Sequence, residues 1–298
     1  MFVYSIIIPH KNVPNLLERL LASIPQREDT EIIIVDDHSD SEKVDFESFP
    51  GKNRPFTKCI FLDESKGAGY ARNKGIEVAQ GKWLLFADSD DFYTENLSLL
   101  LDRFSDNENT DIVYLNAQSY FEKDGHTEEQ YYGRYFKRYK SNKLYAEKVI
   151  RFNIFTPWSR MVKADLVREY NIRYEEIPVG NDKMFCLQCS KYAKTIDIEN
   201  KVIYNYFRQS EGSLTYSYSR RLEGIKSRLS LQSRANQLYE EVGYTFLQSY
   251  IYGYMRSSLK SRELREIYKS FMRENHISVS KDIYNMVKLV IGKLMKVL

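Results

Sequence analysis

Gly81-Lys82-Trp83-Leu84-Leu85-Phe86-Ala87-Asp88-Ser89-Asp90-Asp91-Phe92 runs from an apolar stretch straight into three carboxylates within four residues. A buried strand that ends in Asp-x-Asp delivers hard oxygen ligands to the edge of a sheet, where a divalent cation can bridge them to a diphosphate. The same residues also suit a helix start. Ser89, Asp90 and Asp91 can cap the helix marked by Leu97, Leu100, Leu101 and Phe104, because short polar side chains accept from free N–H groups there. One cap needs one side chain and three are present, so the surroundings have to decide.

Upstream of this stretch, strands and helices alternate. Ser5 to Pro9 reads as a strand, and Asn12 to Ile24 as a helix with Leu16, Leu17, Leu20, Leu21 and Ile24 on one face. Glu31 to Val35 is a second strand running into Asp36-Asp37, and Lys58 to Leu62 a third. Gly69 to Ala79 is a helix leading to the fourth strand at 81–86. This order predicts an α/β fold, a mostly parallel sheet covered by helices, with the ligand outside the carboxyl ends of the strands. Asp36, Asp37, Asp88, Asp90 and Asp91 all fall at those ends, and carboxylates from separate strands in one crevice are more than capping requires.

With 298 residues, 43% of them hydrophobic, the chain can hold one large domain, or one domain and an appendage. A net charge of +3, from 44 basic and 41 acidic residues, gives no global field for nucleic acid, while a slight basic excess suits a small anionic substrate. The 24 Tyr and 16 Phe serve cores first and carbohydrate faces second. Met1 to Pro9 is too short and too poor in basic flank for an export signal, and no segment reaches the roughly 18 apolar residues of a membrane span. Three cysteines, Cys59, Cys186 and Cys189, fit a reducing cytoplasm, and Cys186-x-x-Cys189 reads as buried structural thiols because no second Cys/His pair accompanies it.

Four motifs in order carry a family resemblance: Ser5-Ile6-Ile7-Ile8-Pro9 with Asn12, Ile33-Ile34-Val35-Asp36-Asp37 with Ser39 and Ser41, Gly67-x-Gly69-x-Ala71-Arg72-Asn73-x-Gly75, and Asp88-Ser89-Asp90-Asp91. The chain resembles the family 2 glycosyltransferases of the GT-A fold over residues 1–215. Trp158, Asn171 to Tyr174, Gly180-Asn181-Asp182 with Phe185, Tyr206-Phe207-Arg208 and Ser213-Leu214-Thr215 extend the likeness. The resemblance implies an inverting enzyme that moves one sugar from a nucleotide-sugar, a UDP-sugar in this reading, to a saccharide or lipid-linked oligosaccharide of a cell-surface polysaccharide. It implies nucleotide contacts from Pro9, Lys11, Asp37, Gly67, Arg72 and Asp88, with Asp37 accepting from N3–H of uracil and Arg72 reaching the base or the phosphates. Asp36 is structural in this scheme. Asp90 and Asp91 form the pair for Mn²⁺ or Mg²⁺, which offsets the charge growing on the leaving diphosphate. Asp182 is the general base, or alternatively a helix N-cap.

Three positions depart from the family pattern. Lys11, after His10, replaces the aromatic that stacks on the base; Asn181 replaces a Glu beside the base; and His38 stands where Gly is common. The segment Tyr131 to Lys140 mixes aromatic and basic side chains and reads as an acceptor-side loop, a solvated loop, or, without any nucleic-acid motif to support it, a nucleic-acid contact. Residues 216–298 read as a helical appendage, with helices at Arg220 to Val242 and Phe246 to Leu259. In the terminal helix Ile283, Met286, Val287, Val290, Ile291, Leu294 and Val297 trace one face, and Lys281, Lys288, Lys293 and Lys296 lie on the other. That pattern fits peripheral contact with the inner membrane face, packing on the catalytic domain, or a homodimer. A nucleotidyltransferase and a non-catalytic sugar-nucleotide-binding module are the rival classes; the first needs a glycine-rich loop where this chain has His10-Lys11-Asn12, and the second has no use for Asp182.

Overall fold

Two seven-residue strands, β1 (Tyr4–His10) and β2 (Thr30–Asp36), are buried along their whole length, which is why each is built on an unbroken apolar run, Ile6 to Pro9 and Ile32 to Val35, rather than an alternating one. They belong to a computed structural model that describes residues 1–139, 141–208, 222–245, 247–257 and 261–294. Lys140, Ser213-Leu214-Thr215, the 215/216 boundary, Arg220, Phe246, Leu259, Lys296 and Val297, all used above, lie outside the described residues. The chain divides into two compact units, Met1–Ser210 and Glu211–Leu298.

In the first unit, β3 (Thr57–Phe61), β2, β1 and β4 (Trp83–Phe86) lie side by side and parallel. Helix α1 (Pro14–Ser23) follows β1, and α2 (Ala68–Val78) precedes β4. Helix α1 starts two residues later than Asn12 because Asn12 takes a left-handed φ of 60° and the proline fills the first turn. The acidic stretch then leads to β5 (Phe92–Tyr93) and α3 (Asn96–Phe104). The other half of the sheet is mixed: β8 (Arg160–Lys163) pairs antiparallel with both β4 and β6 (Ile112–Phe121), whereas β9 (Ile196–Arg208) runs parallel to β6 and antiparallel to β5. A short β7 (Thr127–Glu129) adds to β6. The α/β class stands, with the parallel pairing concentrated where the four early strands lie.

Between these strands come α4 (Gly133–Tyr139), α5 (Lys143–Asn153), α6 (Ala164–Glu169) and α7 (Asn181–Tyr192). Helix α4 replaces the expected loop at 131–139: Tyr132, Tyr135 and Phe136 point into the core, so most of the aromatic part of that mixture is packing. Cys186 and Cys189 are buried free thiols, as their isolation in the sequence suggested.

The second unit holds α8 (Leu222–Glu241), α9 (Tyr250–Arg256), α10 (Arg262–Glu274) and α11 (Val279–Leu294) around Ile225, Leu229, Tyr250, Leu264 and Met272. Ser249 and Ser261 cap α9 and α10 through their hydroxyls, which sets α9 to begin later than the expected Phe246. Helix α10 has no counterpart in the sequence reading.

Candidate active site

The register of β1 on β2 brings His10 opposite Asp36 at the strand ends. His10 Nδ1 lies 2.7 Å from Asp36 Oδ2, and the Val13 N–H donates to Nε2 at 3.2 Å, so the ring carries its proton on Nδ1 and donates it to the carboxylate. Ser39 adds its N–H at 2.8 Å and its hydroxyl at 2.6 Å. Burial pushes the Asp36 carboxyl up, but the bonds from His10 and Ser39 outweigh it and leave the pKa lowered. Asp36 is the anchor of the loop, as expected, and His10 is the partner the sequence reading missed.

Asp37 is buried and well supplied with donors. Its Oδ1 accepts from the N–H groups of Lys66 at 2.7 Å and Gly67 at 3.0 Å, and its Oδ2 from Ser65 Oγ at 2.7 Å. Lys11 Nζ donates to Ser65 Oγ at 2.5 Å and stands 3.6 Å from Asp37 Oδ2. Gly67 can meet Asp37 this way because its φ of 88° is a glycine conformation; a Cβ there would meet nothing within 4 Å, so conformation rather than space selects it. Pro9 is buried in β1 in register with Val35. A cavity of about 590 Å³ opens beside these residues, walled by Lys11, Asn12, His38, Ser39, Phe46 and Phe61 among others. It lies at the carboxyl ends of the parallel strands, the expected position for a ligand in such a sheet.

The acidic stretch splits into different roles. Helix α3 begins at Asn96 without a side-chain cap from Ser89, Asp90 or Asp91, so capping does not account for them. Asp91 is fully buried and turned inward: its Oδ1 accepts from the Phe207 N–H at 2.7 Å, and its Oδ2 has no hydrogen-bond partner. Burial first, then the charges of Asp88 and Asp90, raise its pKa well above the ordinary value. Asp90 is exposed to solvent, yet the protein crowding around it and the Asp88 charge push its carboxyl to about 6. The Asp88 N–H donates to Tyr204 Oη at 2.9 Å. Strand β9 thus holds the acidic stretch at two points, and Trp158 stacks on Tyr204 and Tyr206 of that strand at 5.0 and 5.8 Å.

No group of three or more His, Cys, Asp or Glu side chains among the described residues makes a complete cage for a metal ion. The donor set nevertheless fits a hard divalent cation: Asp88 and Asp90, which keep solvent access, offer carboxylate oxygens only, and burial together with the Asp88 charge raises the Asp90 pKa, a cost that a bound cation would relieve. Mg²⁺ commonly takes only one or two protein carboxylates and fills its shell with phosphate and water.

Arg72 differs most from its expected place. It is 5% exposed, and its guanidinium bonds Asp88 Oδ1 at 2.5 Å and Asn181 Oδ1 at 3.1 Å while lying over the Tyr174 ring. A buried guanidinium needs a charge partner, and Asp88 supplies it, so in this structure Arg72 braces two site elements. Its Asn181 contact makes use of the very position that departs from the family pattern.

Asp182 lies in the first turn of α7, where Gly180, with φ 80°, is the cap position and no side-chain cap bond is made. The capping alternative for Asp182 therefore fails, and the carboxylate faces the positive end of the helix dipole. Burial raises its pKa, Arg72 opposes that shift, and Asp88 adds to it. Helix α2 approaches α7 closely at Gly69, where a Cβ would come within 2.2 Å of the Glu175 carbonyl oxygen and 3.2 Å of Asn181 Cβ. Gly69→Ala is expected to lower stability by about 1 to 3 kcal/mol through overpacking, read as a lower denaturation midpoint with an unchanged slope. An unchanged midpoint would show that the α2–α7 approach is not tight.

Residues 5–167 match the family model described as Glycosyl transferase family 2. EpsH of Bacillus subtilis is 25% identical over 73% of this chain and 64% of its own length, so the chain spans less than two thirds of that relative. Among solved structures, the Staphylococcus aureus protein TarS, residues 1–349 in complex with UDP-GlcNAc, superposes with a TM-score of 0.65 at 20% identity, covering 91% of this chain and 80% of that one. The mannosyltransferase PcManGT from Pyrobaculum calidifontis, in complex with GDP-Man and Mn²⁺, gives 0.56 at 13% identity, over 99% and 81%. The TarS likeness confirms the GT-A fold.

Proposed function

We propose, from the premise that the chain belongs to glycosyl transferase family 2, that it transfers one sugar from a UDP-sugar to a saccharide acceptor of a cell-surface polysaccharide, with inversion at the anomeric carbon. The observation that carries this reading is the Arg72 brace, which ties the acidic strand end at Asp88 to the start of α7, where Asp182 sits. Leaving-group chemistry and proton removal thereby belong to one rigid frame. The binding-module reading has no use for a partly buried carboxylate with a raised pKa at that place.

In place of the Asp90 and Asp91 pair expected from the sequence, Asp88 and Asp90, which keep solvent access, would hold Mn²⁺ or Mg²⁺ at the diphosphate, while Asp91, fully buried and bonded to the Phe207 N–H, fixes their backbone from behind. The cation supplies charge neutralisation for the departing nucleoside diphosphate. Asp182 accepts the acceptor hydroxyl's proton as that oxygen attacks C1 from the face opposite the leaving group. Inversion follows from this single in-line displacement and yields a β-linkage from an α-linked donor. We infer work on the cytoplasmic side, which the free thiols suit, with a lipid-linked oligosaccharide as the acceptor class.

Uracil is the base that suits Asp37. A carboxylate accepts and does not donate, so it pairs with N3–H once the Ser65 hydroxyl gives up its place on Oδ2. Lys11, released with Ser65, then donates to a uracil carbonyl oxygen. UDP is expected to bind about tenfold or more tightly than ADP, whose ring N1 accepts and leaves the buried Asp37 carboxylate without a donor, while GDP, which offers N1–H, is the comparison that decides the base. Calorimetric titration decides this, and tighter binding of GDP would reject uracil. Release of UDP from a panel of UDP-sugars, with Mn²⁺ and a saccharide acceptor, tests transfer itself.

A further inference from the structure

Helix α11 is fastened to the second unit by its polar side. The Asp282 carboxylate, 1% exposed, accepts from Ser249 Oγ at 2.9 Å and from the N–H groups of Tyr250 at 3.0 Å and Ile251 at 2.9 Å, satisfying the free start of α9. Asn285 and Gly292 are buried on that same side. The opposite side carries Val279, Ile283, Tyr284, Val287, Val290 and Ile291, which are between 38% and 58% exposed. A helix that merely covers a core does the reverse, with its apolar stripe inward. The Asp282 lock prevents α11 from rolling over without stripping three donors of their acceptor.

We propose that this outward face lies in the headgroup region of an anionic lipid surface. Charge selects the occupant. Residues 211–298 carry 15 Lys and Arg against eight Asp and Glu, whereas residues 1–210 carry 29 against 33. A second copy docked face to face would set two such basic units against each other, while an anionic leaflet attracts the net positive charge of one. The flank of the face is built for such a boundary: Lys288 Nζ stands 4.6 Å from the Tyr284 ring centroid, so a cation and an amphipathic ring sit together at its edge. Sixteen residues make a helix of about 24 Å, which lies in the plane of a bilayer rather than across it. No helix among the described residues is long and apolar enough to cross a membrane.

Cosedimentation of the full chain with vesicles tests this without any reading of turnover, so it stands or falls apart from the sugar donor. With equal parts phosphatidylglycerol and phosphatidylcholine the protein is expected to pellet, less so as salt rises, and with phosphatidylcholine alone to bind on the order of tenfold more weakly. Ile283→Asp with Val287→Asp is expected to weaken binding to the anionic vesicles by about tenfold or more while leaving the melting temperature and UDP binding unchanged. Should the aspartates lower the melting temperature, Val287→Ser with Ile291→Ser reads the same contact without added charge. The proposal is overturned if the wild-type chain stays in the supernatant with anionic vesicles, or if a folded variant pellets as the wild type does. Light scattering that shows a dimer split by the same substitutions would also overturn it and assign the face to a second copy.

Discussion

Asp182→Asn is expected to keep UDP-sugar affinity within about twofold while turnover falls by ~10² to 10⁴. The amide has the shape of the carboxylate and no capping bond is at stake, since Gly180 holds the cap position of α7. What it lacks is the ability to take a proton. The groups around it fix the sign of the accompanying pH dependence. Burial and the Asp88 charge raise the Asp182 pKa, and Arg72 pulls it back without cancelling the shift. Only the ionised form is a base, so the wild-type rate should climb with pH through a pKa above the ordinary carboxylate range, and the variant should lose that limb. Wild-type turnover in the variant would remove Asp182 from the mechanism; loss of UDP binding along with turnover would make it a structural residue of the α7 start.

The strand ends were legible in the sequence because parallel strands buried on both faces write unbroken apolar runs, and the chain must turn polar where they stop. Asp36, Asp37 and the acidic stretch stand at such stops, and the register of β1 with β2 and β4 brings those stops together. The division of labour inside Asp88-Ser89-Asp90-Asp91 was not legible. It depends on a backbone N–H at Phe207, on a strand far along the chain, which claims Asp91 for the core. The Arg72 brace was not legible for a related reason: its motif marks the helix, but burial and the Asp88 charge decide where the guanidinium goes. In α11 the periodicity placed Ile283, Val287, Val290 and Ile291 on one face and left its direction open, because the inward side is chosen by what α9 needs from Asp282.

Removing the Asp90 carboxylate is the other substitution from which a large effect is expected. With Asp91 committed to the Phe207 N–H and Asp88 Oδ1 bonded to Arg72, Asp90 is the carboxylate of the cluster with no side-chain partner of its own in these bonds, and it remains open to solvent. Asp90→Ala is expected to cost several kcal/mol of transition-state stabilisation, a loss of about 10² or more in turnover, and to abolish the dependence of UDP binding on Mn²⁺. Asp91→Asn retains an acceptor for Phe207 and should preserve the fold. The pH dependence of stability supplies an independent check. A carboxyl whose folded pKa is raised favours the protonated form, so its stabilising contribution is complete below the ordinary 3.8 and is lost as pH rises through about 6, the value Asp90 reaches by crowding and the Asp88 charge. Divalent cation binds the ionised form and should restore that loss, giving a larger rise in melting temperature with Mn²⁺ at pH 7.5 than at pH 5. Equal Mn²⁺ shifts at the two pH values, or wild-type turnover of Asp90→Ala in the presence of chelator, would take the metal away from this cluster.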